Sequence, residues 1–261
     1  MTKLMGVVNV TPDSFSDGGM YLDPEAAIFH GRELAEAGAE ILDVGGESTR
    51  PGAEPVGVEE ELRRVVPVIR GLSGTQCRIS VDTSKAAVAA EALDAGAEIV
   101  NDVTALRGDP EMGGLCAERG ATVVLMHMLG DPRTMQEDPR YGDVVDDVKA
   151  FLAERLEAAV AAGIDEERVW LDPGIGFGKT AAHNMELLRR LGELLDLGRP
   201  LVIGTSRKSF IGKVDGSPAD RRLGGTIASS VLAAAEGADV LRVHDVAELR
   251  QALAVATAIL G

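Results

Sequence analysis

Seven residues able to do polar chemistry sit where short β-branched runs stop. Val7-Val8 runs into Asn9, Ile41-Leu42 into Asp43, Ile79-Ser80-Val81 into Asp82 and Ile99-Val100 into Asn101. Further on, Val123-Val124-Leu125-Met126 reaches His127, Val169-Trp170-Leu171 reaches Asp172 and Val240-Leu241 reaches Arg242. Unpaired carboxylates, amides and imidazoles are costly to bury, so these strand ends must share one polar pocket. Few cations lie near the acidic members in sequence, so the carboxylates are not expected all to be salt-bridged. Two carboxylates and an amide (Asp82, Asp172, Asn101) suit a flat heterocycle with several N–H donors, gripped by paired hydrogen bonds. The same groups could instead form a network that holds the strand ends together. Asp43, followed by two glycines, reads equally as an anchor for the loop after it or as a pocket group.

A second cluster suits an anion. Gly204-Thr205-Ser206-Arg207-Lys208-Ser209 follows one strand and Arg242-Val243-His244 closes the next. Together they offer an ammonium, a guanidinium and an imidazole from adjacent loops, where parallel barrels often hold phosphate. Asn9 ends the first strand, beside the last once a barrel closes, and its neutral amide oxygen suits Mg²⁺, which takes few protein ligands. His127, between Met126 and Met128, reads as pocket lining and not as a base. The run Asp172–Lys179 lacks phosphate-loop spacing; its glycines let backbone approach a flat ring beside Phe177. Ser206 has no histidine near it in sequence and neither cysteine sits in an electropositive loop. With no nucleophile partnered to a base, the inventory fits a reaction whose leaving group departs by itself.

The elements that must position these groups alternate. Strands are predicted near 4–10, 40–44, 78–82, 98–101, 121–127, 168–172, 200–204 and 239–243. Helices are predicted near 24–37, 58–70, 85–95, 110–119, 142–162, 182–192, 221–236 and 245–259. Val144, Val148, Leu152 and Leu156 give the fifth helix one apolar face, and Pro67 should bend or shorten the second. Gly38, Gly96, Gly120, Gly163 and Gly237 stand where helix ends turn into strands. Eight strand–helix units predict a TIM (β/α)8 barrel, a single domain over 1–261, with an open doubly wound sheet as the competing arrangement. The loops 11–23 and 45–57 are long for simple connections, and both lie on the carboxyl side.

At 261 residues with a net charge of −16, the chain is a poor match for nucleic acid, which needs a basic surface. No run approaches the roughly 20 apolar residues that span a bilayer. Met1-Thr2-Lys3-Leu4 enters a strand at once, with no leader pattern, so a cytoplasmic location is expected. Cys77 and Cys116 show no metal spacing and read as reduced thiols.

Taken in order, several motifs resemble the dihydropteroate synthase family: Asn9-Val-Thr-Pro-Asp-Ser-Phe-Ser-Asp-Gly18, Asp43-Val-Gly-Gly-Glu-Ser-Thr-Arg-Pro-Gly52, Ser80-Val-Asp-Thr-Ser84 and Asn101-Asp-Val103. Met126-His-Met128, Leu171-Asp-Pro-Gly-Ile-Gly-Phe-Gly-Lys179, Ser206-Arg-Lys-Ser209 and Arg242-Val-His-Asp-Val246 continue the series to the last strand. The resemblance implies condensation of 6-hydroxymethyl-7,8-dihydropterin diphosphate with p-aminobenzoate, by Mg²⁺-assisted, SN1-like loss of diphosphate. It implies pterin contacts from Asp82, Asn101, Met126, Asp172, Phe177 and Lys208. Diphosphate would fall to Arg242, His244 and Asn9, with Asn9 also on the metal. Phe15, Thr49, Arg50, Pro51 and Ser206 would frame p-aminobenzoate, where sulfonamides compete, and Asp13 would order over the cation. Asp13, Lys208, Arg242 and His244 are thus the implied catalytic set, and pairing into homodimers through outer helices is implied as well. Two departures stand out: little chain precedes the first strand, so a hairpin plugging the barrel floor is expected to be short or absent, and 212–220 is a short linker. The alternatives are a pterin-binding methyltransferase domain that takes methyl from methyltetrahydrofolate, and an inactive barrel subunit. The methyltransferase would not need the Lys208, Arg242 and His244 cluster.

Overall fold

The computed structural model describes residues 2–11, 23–48, 53–131 and 134–260. Eight parallel strands carry the chain: β1 (Lys3–Asn9), β2 (Ile41–Gly45), β3 (Arg78–Asp82), β4 (Ile99–Asp102), β5 (Thr122–Met126), β6 (Val169–Asp172), β7 (Val202–Ile203) and β8 (Val240–Val243). The order β6-β5-β4-β3-β2-β1-β8-β7 closes through a single parallel bridge between Leu171 and Leu201. This is the TIM barrel expected of eight strand–helix units. The helices are α1 (Pro24–Ala37), α2 (Val58–Leu72), α3 (Ala86–Asp94), α4 (Met112–Arg119), α5 (Val144–Ala161), α6 (Ala181–Arg189), α7 (Ser209–Asp215), α8 (Leu223–Ala235) and α9 (Val246–Leu260). None of them is long and apolar enough to cross a membrane.

Side chains alternate across a strand, and that parity decides everything about the site. Met5, Ile41, Ile99, Val124, Trp170, Val202 and Val240 make one small apolar cluster inside the barrel. Counting two residues onward from these, the same inward face reaches Asp43, Asn101, Met126, Asp172 and Arg242. The much larger apolar cluster lies outside, between strands and helices, and contains Val8, Leu42, Val44, Val81, Val100, Leu125, Leu171 and Leu241. At the floor, the Arg78 guanidinium lies over the Trp170 ring, 5.5 Å from its centre, and donates to Thr122 Oγ1 at 3.0 Å.

Three expectations need correction. Helix α2 runs through Pro67 to Leu72 instead of shortening. Losing one backbone bond costs about 3 kcal/mol, but α2 buries Val65, Val68, Ile69 and Leu72, each worth about 1.5–3 kcal/mol. Strand β7 is two residues long, not five. The short linker instead follows a helix, since 209–215 forms α7 and 219–221 a 3-10 turn. The glycines expected at helix ends all take positive φ, from 58° at Gly120 to 114° at Gly96.

Candidate active site

The register sets the first row of the mouth: Asn9 pairs with Gly45, Gly45 with Asp82, and Asp82 with Asn101. Across the barrel, Met126 pairs with Asp172. A small cavity of about 50 Å³ is lined by Asp82, Asn101, Met126, Asp172, Phe177, Ser206, Lys208, Arg242 and His244, with Val103, Ile175 and Gly204 between them. A far larger cavity of about 1150 Å³ lies at the opposite end, against Leu4, Glu40, Cys77 and Arg250. It touches no carboxyl end of any strand, which is where barrels of this kind work.

Arg242 organises the mouth. Its Nε donates to Asp43 Oδ2 at 2.6 Å and its Nη2 to Asp82 Oδ2 at 2.9 Å, while Asn101 Nδ2 donates to the same Asp43 oxygen at 3.1 Å. Asp43 is therefore neither a loop anchor nor cation-poor. The barrel's tilt brings a guanidinium from β8 across to β2 and β3, a partner no sequence neighbourhood reveals. Burial pushes the Asp82 carboxyl up to about 7, with Arg242 pulling it back. Burial also raises Asp172, whose Oδ1 accepts from Gly174 N–H at 2.6 Å. The Lys208 ammonium sits 4.0 Å from the Phe177 ring centre. Burial, and then Arg242, lower its pKa to about 8.

His127 is not pocket lining. Parity turns it outward from Met126, so it packs edge-on against Phe151 of α5, with ring centres 4.8 Å apart. Its Nδ1 lies 2.8 Å from Lys179 Nζ, which also donates to Phe177 O at 2.9 Å and Gly174 O at 3.0 Å. Burial lowers the Lys179 pKa to about 7. The glycine-rich run is thus folded around a buried ammonium, which the sequence did not suggest. Gly174 (φ 68°) lies so close to the His127 carbonyl oxygen that a Cβ there would overlap it.

Ser206 does have a histidine: its Oγ is 2.9 Å from His244 Nδ1, bridging the loops after β7 and β8. Burial, then Arg242 and Arg207, hold the imidazole down at about 3. Two further groups went unnoticed in the sequence. Asp102 faces outward and accepts from Thr104 N and Leu106 N, both at 2.8 Å, shaping the loop after β4. Lys85 bridges Glu47 to the fully buried Glu61 of α2. Glu61 interrupts an apolar stripe, which is the one signal that pointed to it. Asp13, Phe15, Thr49, Arg50 and Pro51 lie outside the described residues. Among the described residues, no three His, Cys, Asp or Glu groups converge as a metal cluster. Both cysteines are free thiols.

Residues 5–244 match the family described as pterin binding enzyme. The dihydropteroate synthase of Escherichia coli is 48% identical over 259 residues, covering 99% of this chain and 92% of the relative. A probable bifunctional folylpolyglutamate synthase/dihydropteroate synthase of Haloferax volcanii is 50% identical over 98% of this chain, which spans only 30% of that longer protein. Among solved structures, the Yersinia pestis dihydropteroate synthase in a sulfonamide drug complex superposes with a TM-score of 0.95 at 45% identity, covering 99% of this chain and 94% of that one. The Xanthomonas albilineans dihydropteroate synthase in complex with 7,8-dihydropteroate gives 0.90 at 48% identity, covering 100% and 94%.

Proposed function

The chain belongs to the pterin binding enzyme family, and within it to the dihydropteroate synthases, and from that premise we propose how its barrel mouth works. The enzyme joins 6-hydroxymethyl-7,8-dihydropterin diphosphate to p-aminobenzoate, releasing 7,8-dihydropteroate and diphosphate. One observation supports the residue roles above the rest: Asp82, Asn101, Asp172 and Lys208 line the same cavity as Arg242 and His244, so ring acceptors and anion donors adjoin. Asp172, Asp82 and Asn101 take the ring's N–H donors, with Lys208 on its carbonyl edge and Met126 and Phe177 against its faces. The cavity's small volume means that lining side chains must shift when a two-ring ligand enters.

The bond between the pterin methylene and diphosphate breaks with its electron pair going to diphosphate, which Arg242 and His244 hold. The arylamine lone pair then closes the new C–N bond and its proton passes to diphosphate or water. Asp13 shields the cation, while Phe15, Thr49, Arg50, Pro51 and Ser206 hold the p-aminobenzoate. Magnesium fits this mouth: Asn9 Oδ1 and Asp82 Oδ2 lie 3.8 and 3.7 Å from where a Cβ on Gly45 would sit, so two hard oxygens border one space that glycine leaves open. Asn9 would hold the ion, which would offset charge on diphosphate.

The barrel acts as one domain over 1–261, in the cytoplasm and as a homodimer; exposed Leu232 on α8 with Val255 and Ile259 on α9 supports pairing through outer helices. The test is turnover of the purified protein with both substrates and Mg²⁺, following diphosphate and dihydropteroate together. Formation of both, stopped by EDTA and competed by a sulfonamide, is the expected result. Pterin binding without product would sink the residue roles.

A further inference from the structure

Ser206 Oγ carries one proton, and two contacts determine where it goes. The His244 main-chain N–H donates to that oxygen at 3.2 Å, while His244 Nδ1 lies 2.9 Å away. Among the described residues Nδ1 is the only acceptor within reach of the hydroxyl proton, so the arrangement that satisfies both groups has Oγ–H donating to Nδ1. A neutral imidazole must then carry its own proton on Nε2. His244 lines the cavity beside Arg242 and Lys208, and Nε2 is the nitrogen left for a ligand.

The next residues along repeat the join. Arg207 pairs with Asp245 through two contacts, at 2.5 and 3.1 Å, so two consecutive residues of one loop hold two of the other. Arg207 adopts a left-handed φ of 57°, a conformation costing a non-glycine residue about 1–2 kcal/mol. Thr226 Oγ1 accepts from its N–H at 2.9 Å and Arg222 donates to its carbonyl at 3.0 Å. This turn carries Ser206, itself 6% exposed, to His244. The charges facing the imidazole are Arg242, Arg207 and Lys208 against the single Asp245, and with burial they keep it neutral.

We propose that Ser206 is a positioning residue for the leaving group, fixing His244 in the tautomer that presents Nε2–H to the diphosphate. His244 then donates a hydrogen bond throughout and transfers no proton; the diphosphate leaves with the electron pair of the broken C–O bond. The inference rests on the reading above that His244 meets diphosphate, and it gives Ser206 a second role beside its p-aminobenzoate contact.

Nitrogen-15 NMR of the histidine-labelled wild-type enzyme, with His244 assigned by substitution, reads the tautomer directly. A protonated Nε2 and bare Nδ1 between pH 6 and 8 is expected; a protonated Nδ1 overturns the proposal. Binding of inorganic diphosphate with Mg²⁺, measured by calorimetry, should weaken about tenfold to a hundredfold in Ser206→Ala, as for one lost hydrogen bond to a charged group. Ser206→Thr keeps the hydroxyl and should bind like wild type. Wild-type affinity in Ser206→Ala also overturns the proposal, and should Ser206→Ala not fold, the wild-type spectrum and Ser206→Thr decide it. A wild-type enzyme with the expected spectrum that binds diphosphate but makes no dihydropteroate would instead refute the synthase chemistry.

Discussion

Arg242 Nε lies 2.6 Å from Asp43 Oδ2, joining residues 199 positions apart across the barrel mouth. Asp43 is wholly buried and is not among the residues that line the cavity, so its work is to aim the guanidinium. A planar fork held at two points is pre-organised for a tetrahedral anion. Asp43→Asn keeps the shape and removes the charge. We expect kcat to fall about tenfold to a hundredfold, the range for loss of one charged hydrogen bond, with little change in KM for p-aminobenzoate. Steady-state kinetics check this, and an unchanged kcat would mean that Arg242 needs no such support.

Asp172 is the test of the ring pocket. In Asp172→Asn the oxygen that accepts from Gly174 can stay, while the other becomes an N–H donor facing the ring's donors. Pterin affinity should drop about a hundredfold and p-aminobenzoate affinity far less. Calorimetry with each ligand separates the two, and equal losses would contradict the assignment.

Gly174→Ala is a stability prediction. The new Cβ would overlap the backbone oxygen of His127, at a positive φ that alanine adopts poorly. Two backbone segments would have to part, for a loss of about 3 kcal/mol or more. Denaturant unfolding measures it; a variant as stable as wild type would show that the loop is not held against β5.

Lys179 gives a pH signature. Its pKa falls from 10.5 to about 7 on folding, so between those values the unfolded chain binds more protons. Stability from this group therefore rises as pH increases from about 7 toward 10 and is flat below about 7, where both states hold the proton. Lys179→Met removes that slope while taking the ammonium away from the carbonyls of His127, Gly174 and Phe177 and from His127 Nδ1. Thermal melting of both proteins from pH 6 to 9.5 should show the variant less stable overall and flatter with pH. Parallel curves would show that Lys179 stays charged.

The barrel and most of the pocket's membership were legible because parallel strands end at one face and carry their polar residues there. What went wrong was one residue of parity. Met126 and Asn101 face in, so His127 and Asp102 must face out, and counting from Val124 and Ile99 would have said so. The partners of Asp43 and Ser206 were illegible for a different reason. Arg242 and His244 reach them through the tilt and closure of the barrel, and no local pattern encodes either. Lys179 closed a run that lacks phosphate-loop spacing, and spacing alone cannot show that a loop has wrapped its carbonyls around an ammonium.

The short seventh strand has a mechanical consequence. Every other neighbouring pair of strands shares a ladder, whereas β6 and β7 meet at the lone bridge of Leu171 and Leu201. Asp172 stands on one side of that seam, and Ser206 and Lys208 follow β7 on the other. A bound pterin gripped from both sides would span the gap like a missing stave, making the substrate part of the hoop that keeps the cask closed.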